Sequence, residues 1–219
     1  MRWLTDPRVR LGLGTAVVLV TALSVRRDRV GHGEAEAFQA VNGLPDSLYG
    51  PVWVTMQLGA LGAVPAAAVA ALLTHNRELA GRLLVGGTGT WALAKLVKQI
   101  VRRPRPAALV SGAYTRGRDA SGLGYPSGHA GVAVALGTAA LPRLSPSALA
   151  VAAAMPIVGL SRIYVGAHLP LDVAGGAGLG LAVEAAVALA WHPGVDKCLF
   201  LKLIPTAAQP VRRASKLGA

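Results

Sequence analysis

Long apolar runs separated by short charged connections are the main pattern along this chain. A helix that crosses a bilayer needs about 20 mostly apolar residues, and somewhat fewer where flanking charges can reach the interface. The runs lie at Leu11–Val25, about Val52–Leu73, about Leu79–Val101, about Gly128–Leu141, about Ser147–Val165 and about Leu169–Trp191. The pattern therefore predicts an all-α membrane bundle of about six transmembrane helices.

The connections divide the chain further. The stretch EAEAFQAVNG (34–43) has the pattern of a short amphipathic helix lying in the membrane interface. Residues 102–126 are rich in glycine, arginine and proline and too long for a simple connector, so they form a candidate lid. We predict an N-terminal span with an interfacial helix (1–50), a main helix bundle (51–192) and a basic C-terminal tail (193–219).

The first apolar run leaves one alternative open. Leu11–Val25 is short, and the sequence TALS at its end resembles a signal-peptide cleavage site. Arginines follow that site immediately, at Arg26 and Arg27, and they disfavour export. We therefore expect this run to stay in the protein as a span.

Composition agrees with a membrane protein. Apolar residues make up 53% of the chain but aromatic residues only 5%, and the mean hydropathy is +0.49. Small apolar side chains let helices approach closely in lipid. The glycine-rich stretch AGGAGLG (174–180) is accordingly predicted as a helix-packing surface, and not as a dinucleotide-binding loop, because no strand precedes it.

The charge pattern narrows the possible partners. The net charge is +12, and the basic residues lie in connections, as expected beside anionic lipids or phosphorylated substrates. No zinc-finger spacing and no alternation of aromatic and basic residues indicates nucleic-acid binding. Cys198 is the only cysteine, which excludes an intrachain disulfide and a cysteine-rich metal site.

Orientation follows from the positive-inside rule only after one correction. Six spans place both termini on one side, and the cations on the two sides are nearly equal in number. If some cations on the side opposite the termini take part in catalysis or substrate binding, they should be left out of this count. The termini are then expected in the cytoplasm, with the opposite face extracytoplasmic.

Three polar segments fall on that opposite face: KQIVRRPRP (98–106), PSGH (126–129) and SRIYVGAHLPLD (161–172). Successive spans alternate in direction, so the end of the third, the start of the fourth, the end of the fifth and the start of the sixth share one side. The three segments are therefore expected to converge.

The residue types of these segments suit a phosphate. Lys98, Arg105 and Arg162 can surround its oxygens. Ser127 is placed as the N-cap of a helix whose first-turn N–H groups, beginning near Gly128, would point at an anion.

Two histidines add reactive groups. Pro170 fits a first helical turn, which places His168 just before the helix. Asp172, four residues further on, can hydrogen-bond one imidazole nitrogen and leave the other free to attack. His129 would then protonate the leaving oxygen.

The motifs Lys98–x6–Arg105-Pro106, Pro126-Ser127-Gly128-His129 and Ser161-Arg162–x5–His168–x3–Asp172 resemble the three-part signature of the type 2 phosphatidic acid phosphatase (PAP2) superfamily. The resemblance implies a phosphohistidine at His168 oriented by Asp172, with His129 as the general acid. It implies a phosphate site made of Lys98, Arg105, Ser127, Gly128 and Arg162, and no metal or other cofactor.

The expected activity is hydrolysis of a lipid phosphomonoester or diphosphate, with polyprenyl phosphates or diphosphates as the leading substrates on grounds of resemblance. Phosphatidic acid, phosphatidylglycerophosphate and a sugar-phosphate-bearing polyprenyl lipid are the next candidates. A lipid phosphotransferase and a non-catalytic lipid-phosphate binder or transporter remain alternatives. The expected partners are the lipid substrate and membrane lipids, and the sequence does not indicate an oligomeric state.

Some charged residues outside the motifs were also interpreted. Arg102, Arg103, Arg116 and Arg118 are expected to be solvated or to contact lipid headgroups. The alternative is that they bind a second phosphate or a polar headgroup of the substrate. Lys95 either extends the cationic pocket or reaches the interface. Glu184 is costly inside a span, and it is expected to face another helix or a water-filled crevice, with a functional role as the alternative.

Overall fold

The computed structural model describes residues 6–25, 29–117, 121–143 and 148–191, and there it contains eight α-helices and no strand. The helices are α1 (Pro7–Ser24), α2 (His32–Asn42), α3 (Tyr49–Met56), α4 (Ala63–Leu73), α5 (Arg77–Val101), α6 (Gly128–Ala140), α7 (Ala148–Tyr164) and α8 (Pro170–Ala190). The all-α prediction is confirmed. The basic tail 193–219 and Arg118 lie outside the described residues.

The first helix is an integral part of the bundle. The Asp6 carboxylate caps α1 by accepting a hydrogen bond from the Arg8 N–H at 2.8 Å, and Pro7 occupies the first helical position. Gly14 of α1 packs closely against α8, because a Cβ added at Gly14 would lie 2.6 Å from the backbone nitrogen of Ala182. Such close packing favours the interpretation of α1 as a span that remains in the protein.

Glycines also set the packing of α6 against α8. A Cβ at Gly176 would collide with the backbone of Ser127, and one at Gly180 with the backbone of Gly131. The predicted packing surface at 174–180 is therefore confirmed. Its consequence for function is that the N-termini of α6 and α8 lie side by side.

The second apolar run is broken, in contrast to the single predicted span over Val52–Leu73. The helical segment that contains α3 ends at Gly59. After a short break, α4 continues at an angle of 69° to it. A Cβ at Gly59 would collide with the carbonyl of His129 and the side chain of Val158. The break therefore packs against the first turn of α6, and only a glycine permits that approach.

The helices are compatible with a membrane protein, but only some of the six predicted spans are supported individually. Among the described residues, α1 and α8 are long and apolar enough to cross a membrane, and the bent pair containing α3 and α4 would be a third if it is one span. Helix α5 is about 37 Å long at 1.5 Å per residue. Helices α6 and α7 are apolar but shorter.

The predicted amphipathic helix at 34–43 is α2. Its Phe38 is fully buried in a cluster with Val110, Ile163 and Leu169. This contact fixes α2 on the ends of α7 and α8, next to the polar segments.

Candidate active site

A cavity of about 460 Å³, lined by both charged and apolar side chains, lies where the three predicted segments meet. Of the predicted site residues, the following line it: Lys98, Arg105, Gly128, His129, Arg162 and His168. The predicted convergence of the segments is thus present in the structure.

The other two predicted residues, Ser127 and Asp172, are fully buried beside these lining residues. Ser127 is the N-cap of α6, as predicted, and its hydroxyl accepts a hydrogen bond from the Ala130 N–H at 3.4 Å. The Ser127 N–H donates to the backbone carbonyl of Asp172 at 2.8 Å. Ser127 therefore ties the start of α6 to the start of α8.

The contacts of His168 define its tautomer. Its Nε2 lies 3.1 Å from Nη1 of Arg105. An arginine only donates, so Nε2 is the acceptor and the proton of a neutral ring is on Nδ1. This Nδ1 lies 3.6 Å from Oδ2 of Asp172, longer than a hydrogen bond of about 2.7–3.2 Å. The two side chains are adjacent, but the predicted hydrogen bond between them is not formed in this structure. The Nε2 lone pair lies on the side of the cations.

Electrostatics favour a neutral His168. The ring is almost completely buried, and burial lowers its pKa well below 6.5. The positive charges of Arg105, Lys98 and Arg162 lower the pKa further. A neutral imidazole retains the lone pair that a nucleophile needs.

The carboxylate of Asp172 is fixed by two further donors. Its Oδ2 accepts a hydrogen bond from the Leu169 N–H at 2.9 Å, which caps α8. Its Oδ1 accepts one from Nη1 of Arg103 at 2.9 Å. The side chain that faces His168 is therefore held in one rotamer.

Arg103 differs most from its sequence-based prediction. It was expected to be solvated, but it is 1% exposed. Its guanidinium bridges Asp172 and Glu34, with distances to Glu34 of 3.0 and 2.6 Å. Burial alone would lower the pKa of Arg103, but the contacts with both carboxylates raise it, so the group stays charged.

Glu34 was not predicted as a site residue either. It lies in the first turn of α2, and its Oε1 also accepts a hydrogen bond from the Leu171 N–H at 3.0 Å. A continuous row of contacts thus runs from Glu34 through Arg103 and Asp172 to His168.

The three cations of the cavity, Lys98, Arg105 and Arg162, contact backbone carbonyls or sulfur and not the carboxylates of the described residues. Lys98 donates to the carbonyls of Leu123 and Gly124 at 2.9 and 2.7 Å. Arg105 donates to the carbonyl of Ala167 at 2.6 Å, and Nη1 of Arg162 lies 2.7 Å from the Met56 sulfur. Within the described part of the chain, none of the three cations has a carboxylate within ion-pair distance. Three cations that line one cavity and contact no described carboxylate directly make it a candidate anion site.

Two other charged residues have structural contacts. Arg116, also expected to be solvated, donates to Asp46 at 2.8 Å and packs over the rings of Tyr114 and Tyr164. Glu184 faces other helices, which was one of its predicted alternatives, and it pairs with Arg10 of α1 at 2.9 Å and with Arg82 of α5. Arg102 is exposed, as predicted.

Comparison with known proteins agrees with these motifs. The family model described as the PAP2 superfamily matches residues 79–195, more than half of the chain. The chain belongs to the PAP2 superfamily. The resemblance found in the motifs is thereby confirmed.

Two relatives are named phosphatases. The decaprenylphosphoryl-5-phosphoribose phosphatase of Mycobacterium tuberculosis is 39% identical over 141 residues, which cover 62% of this chain and 69% of that protein. The undecaprenyl-diphosphatase of Sulfolobus acidocaldarius is 29% identical over 119 residues, 53% of this chain. The latter match spans only 57% of the archaeal protein.

Two solved structures share the PAP2 fold. The LpxE structure from Aquifex aeolicus has a TM-score of 0.63 at 21% identity, covering 71% of this chain and 94% of that one. The transmembrane PAP2 type phosphatidylglycerolphosphate phosphatase from Bacillus subtilis has a TM-score of 0.58 at 21% identity, covering 89% and 99%. At this identity, the likeness supports the fold alone.

The buried arginine of this PAP2 site gives a first prediction. Arg103→Met would leave the carboxylates of Asp172 and Glu34 without their shared cation, which costs about 3–5 kcal/mol in comparable buried pairs. We expect a clear fall in the unfolding temperature in detergent. The unfolding temperature of Arg103→Lys should fall less, because lysine keeps the charge and loses only the two-pronged contact.

The matched control is Arg102→Met, because Arg102 is the exposed neighbour of Arg103. Its unfolding temperature should stay at the wild-type value. Equal unfolding temperatures for Arg103→Met and Arg102→Met would show that the bridge of Arg103 contributes nothing to stability.

Proposed function

We propose that this chain is a membrane lipid phosphatase that hydrolyses a polyprenyl phosphate or diphosphate through a phosphohistidine at His168. The observation that carries this proposal is the contact of His168 Nε2 with Arg105 at 3.1 Å. It gives the ring an unprotonated nitrogen beside an arginine of the cation cluster. A phosphate bound among these cations would have its phosphorus within reach of that nitrogen.

The first half of the reaction forms a covalent intermediate. Lys98, Arg105 and Arg162 bind the phosphate oxygens, and Arg105 exchanges its contact with Nε2 for one with the substrate. The Nε2 lone pair attacks phosphorus, and the bond from phosphorus to the lipid-side oxygen breaks. His129 donates a proton to that oxygen, while Asp172 stabilises the positive charge that develops on His168.

The second half restores the enzyme. His129, now unprotonated, accepts a proton from water, and the water oxygen attacks the phosphorus bound to His168. The phosphorus–nitrogen bond breaks, inorganic phosphate leaves, and His168 regains its lone pair. Every group in this cycle is a side chain of the chain itself, so the mechanism requires no metal ion.

The names of the relatives support a polyprenyl substrate. The archaeal relative is named for undecaprenyl diphosphate. The mycobacterial relative is named for decaprenylphosphoryl-5-phosphoribose, a polyprenyl lipid that carries a sugar phosphate, so such a lipid is a further candidate substrate. Phosphatidic acid and phosphatidylglycerophosphate remain further candidates. We further propose that the cavity opens on the extracytoplasmic face, with the termini in the cytoplasm, because the cations around the cavity serve chemistry and are discounted from the positive-inside count.

The decisive assay measures phosphate release by purified protein in detergent with a chelator present. The panel contains polyprenyl diphosphate, polyprenyl phosphate, phosphatidic acid and phosphatidylglycerophosphate. We expect release from the polyprenyl substrates at a rate that the chelator does not change. A strict requirement for Mg²⁺ would contradict the mechanism.

The same assay separates the alternatives. A phosphotransferase would release the lipid product without an equal amount of inorganic phosphate, and would label an added alcohol acceptor. A non-catalytic binder would release nothing on any substrate, although vanadate would still protect it from thermal unfolding.

A further inference from the structure

We propose that Lys95 forms a second phosphate subsite, which binds the lipid-proximal phosphate of a diphosphate and selects diphosphates over monophosphates. This inference rests on the proposed function, because it takes the cations of Lys98, Arg105 and Arg162 as the site of the terminal phosphate. It adds a substrate preference that the three motifs leave open.

Lys95 lies on the wall of the same cavity as the proposed catalytic groups. Lys95 and Lys98 both line it, and three residues of α-helix separate them by about 4.5 Å along the axis. Helix α5 ends at Val101, and the segment after it carries Arg105. Lys95 is thus displaced from the cation cluster toward the apolar middle of α5.

The side chain of Lys95 points away from the nearer helix end. Its Nζ lies 3.8 Å from the ring centroid of Trp91, one turn further from Val101. The observed position places the amine over Trp91, which also lines the cavity.

The charge of Lys95 has no anionic partner among the described residues. The side chain is exposed, and its amine lies over the Trp91 ring. The amine is therefore accessible to an anion that enters the cavity. A phosphate would supply the missing negative charge.

A diphosphate fits this arrangement in one direction. When its terminal phosphate lies among Lys98, Arg105 and Arg162, the second phosphate lies on the side of the lipid tail, which is the side of the apolar helix middle. Attack by His168 breaks the bond from the terminal phosphorus to the bridging oxygen. The electron pair stays on that oxygen, now part of the lipid monophosphate, and Lys95 stabilises the charge that develops there.

The test compares polyprenyl diphosphate and polyprenyl monophosphate of one tail length, in neutral detergent, for wild type and Lys95→Met. We expect Lys95→Met to lower kcat/KM for the diphosphate by about 10- to 100-fold, the range of one hydrogen bond to a charged group. The value for the monophosphate should stay unchanged. Lys95→Arg should restore most of the diphosphate activity.

The control variant is Arg102→Met, which removes an exposed cation from the end of the same helix and should change neither substrate. Equal losses on both substrates, or no loss on either, would overturn the subsite. Wild-type protein that cleaves the monophosphate alone would also overturn it, while leaving the proposed function intact.

A binding measurement covers the case in which the proposed function itself fails. If wild type cleaves neither substrate, stabilisation against thermal unfolding by inorganic pyrophosphate and by orthophosphate is compared. The subsite is supported if Lys95→Met loses stabilisation by pyrophosphate but keeps that by orthophosphate. It is refuted if both anions stabilise the variant as they stabilise wild type.

Discussion

Replacement of His168 by alanine is expected to reduce phosphate release to the background rate, a loss of about 10⁴-fold or more. The proposed reaction passes through a bond from phosphorus to Nε2 of His168, and no other side chain can replace that atom. The cations of the cavity remain, so the variant should still bind vanadate. The measurement is release of phosphate from the best substrate of the panel, together with vanadate protection in thermal unfolding.

The covalent intermediate can be observed directly. Wild type quenched with base during turnover of a substrate labelled in its terminal phosphate should retain label on the protein, and His168→Ala should retain none. His32→Ala is a suitable control, since His32 is exposed on α2 and distant in sequence from the motifs. Label that persists in His168→Ala would place the nucleophile elsewhere.

The site was predictable to the extent that it depends on local spacing. Pro170 starts a helix, His168 precedes it, and Asp172 is one turn away, so the pair follows from helix geometry alone. The convergence of three segments follows from the alternation of apolar helices. The capping role of Ser127 likewise needs only its immediate neighbours.

The supporting contacts were not predictable, because they join distant parts of the chain. Arg103 and Glu34 are separated by 69 positions. In the sequence, Arg103 is one of several arginines in a connection, and such residues are usually solvated. Nothing local distinguishes it from the exposed Arg102. Tertiary contacts of α2, such as the packing of Phe38 against the start of α8, bring Glu34 to Arg103.

The break in the second apolar run was not predicted for a different reason. The apolar character of residues 52–73 is continuous, and an average over a window cannot show a bend. Gly59 and Gly62 were the available signal, since glycines weaken a helix and permit close backbone approach. Whether such a pair bends a helix depends on what packs beside it, and here the neighbour is His129.

The partners of Glu184, in the apolar region, were likewise not predictable from the sequence. An acid inside a predicted span suggested either a helix contact or a water-filled crevice, and the sequence did not separate them. Its partners, Arg10 and Arg82, come from the beginnings of two other helices. Their long side chains reach inward to a buried carboxylate, which no pattern along one helix reveals.

His129→Ala is expected to slow turnover by about 10²- to 10⁴-fold, the usual contribution of a general acid. His129 lies in the first turn of α6 and lines the cavity with His168. A phosphate bound there adds negative charge beside the imidazole and favours its protonated form. Binding should change little, because the cations remain, so the loss should appear in kcat and vanadate should still protect the protein.

The loss should also depend on the leaving group. A polyprenyl monophosphate expels an alcohol oxygen, a strong base that needs the proton of His129, whereas a diphosphate expels a phosphate oxygen that carries its charge readily. We therefore expect His129→Ala to reduce kcat more on the monophosphate than on the diphosphate. Equal losses on both would show that His129 acts in a step common to both, such as activation of water, and would refute its role as the acid for the departing lipid.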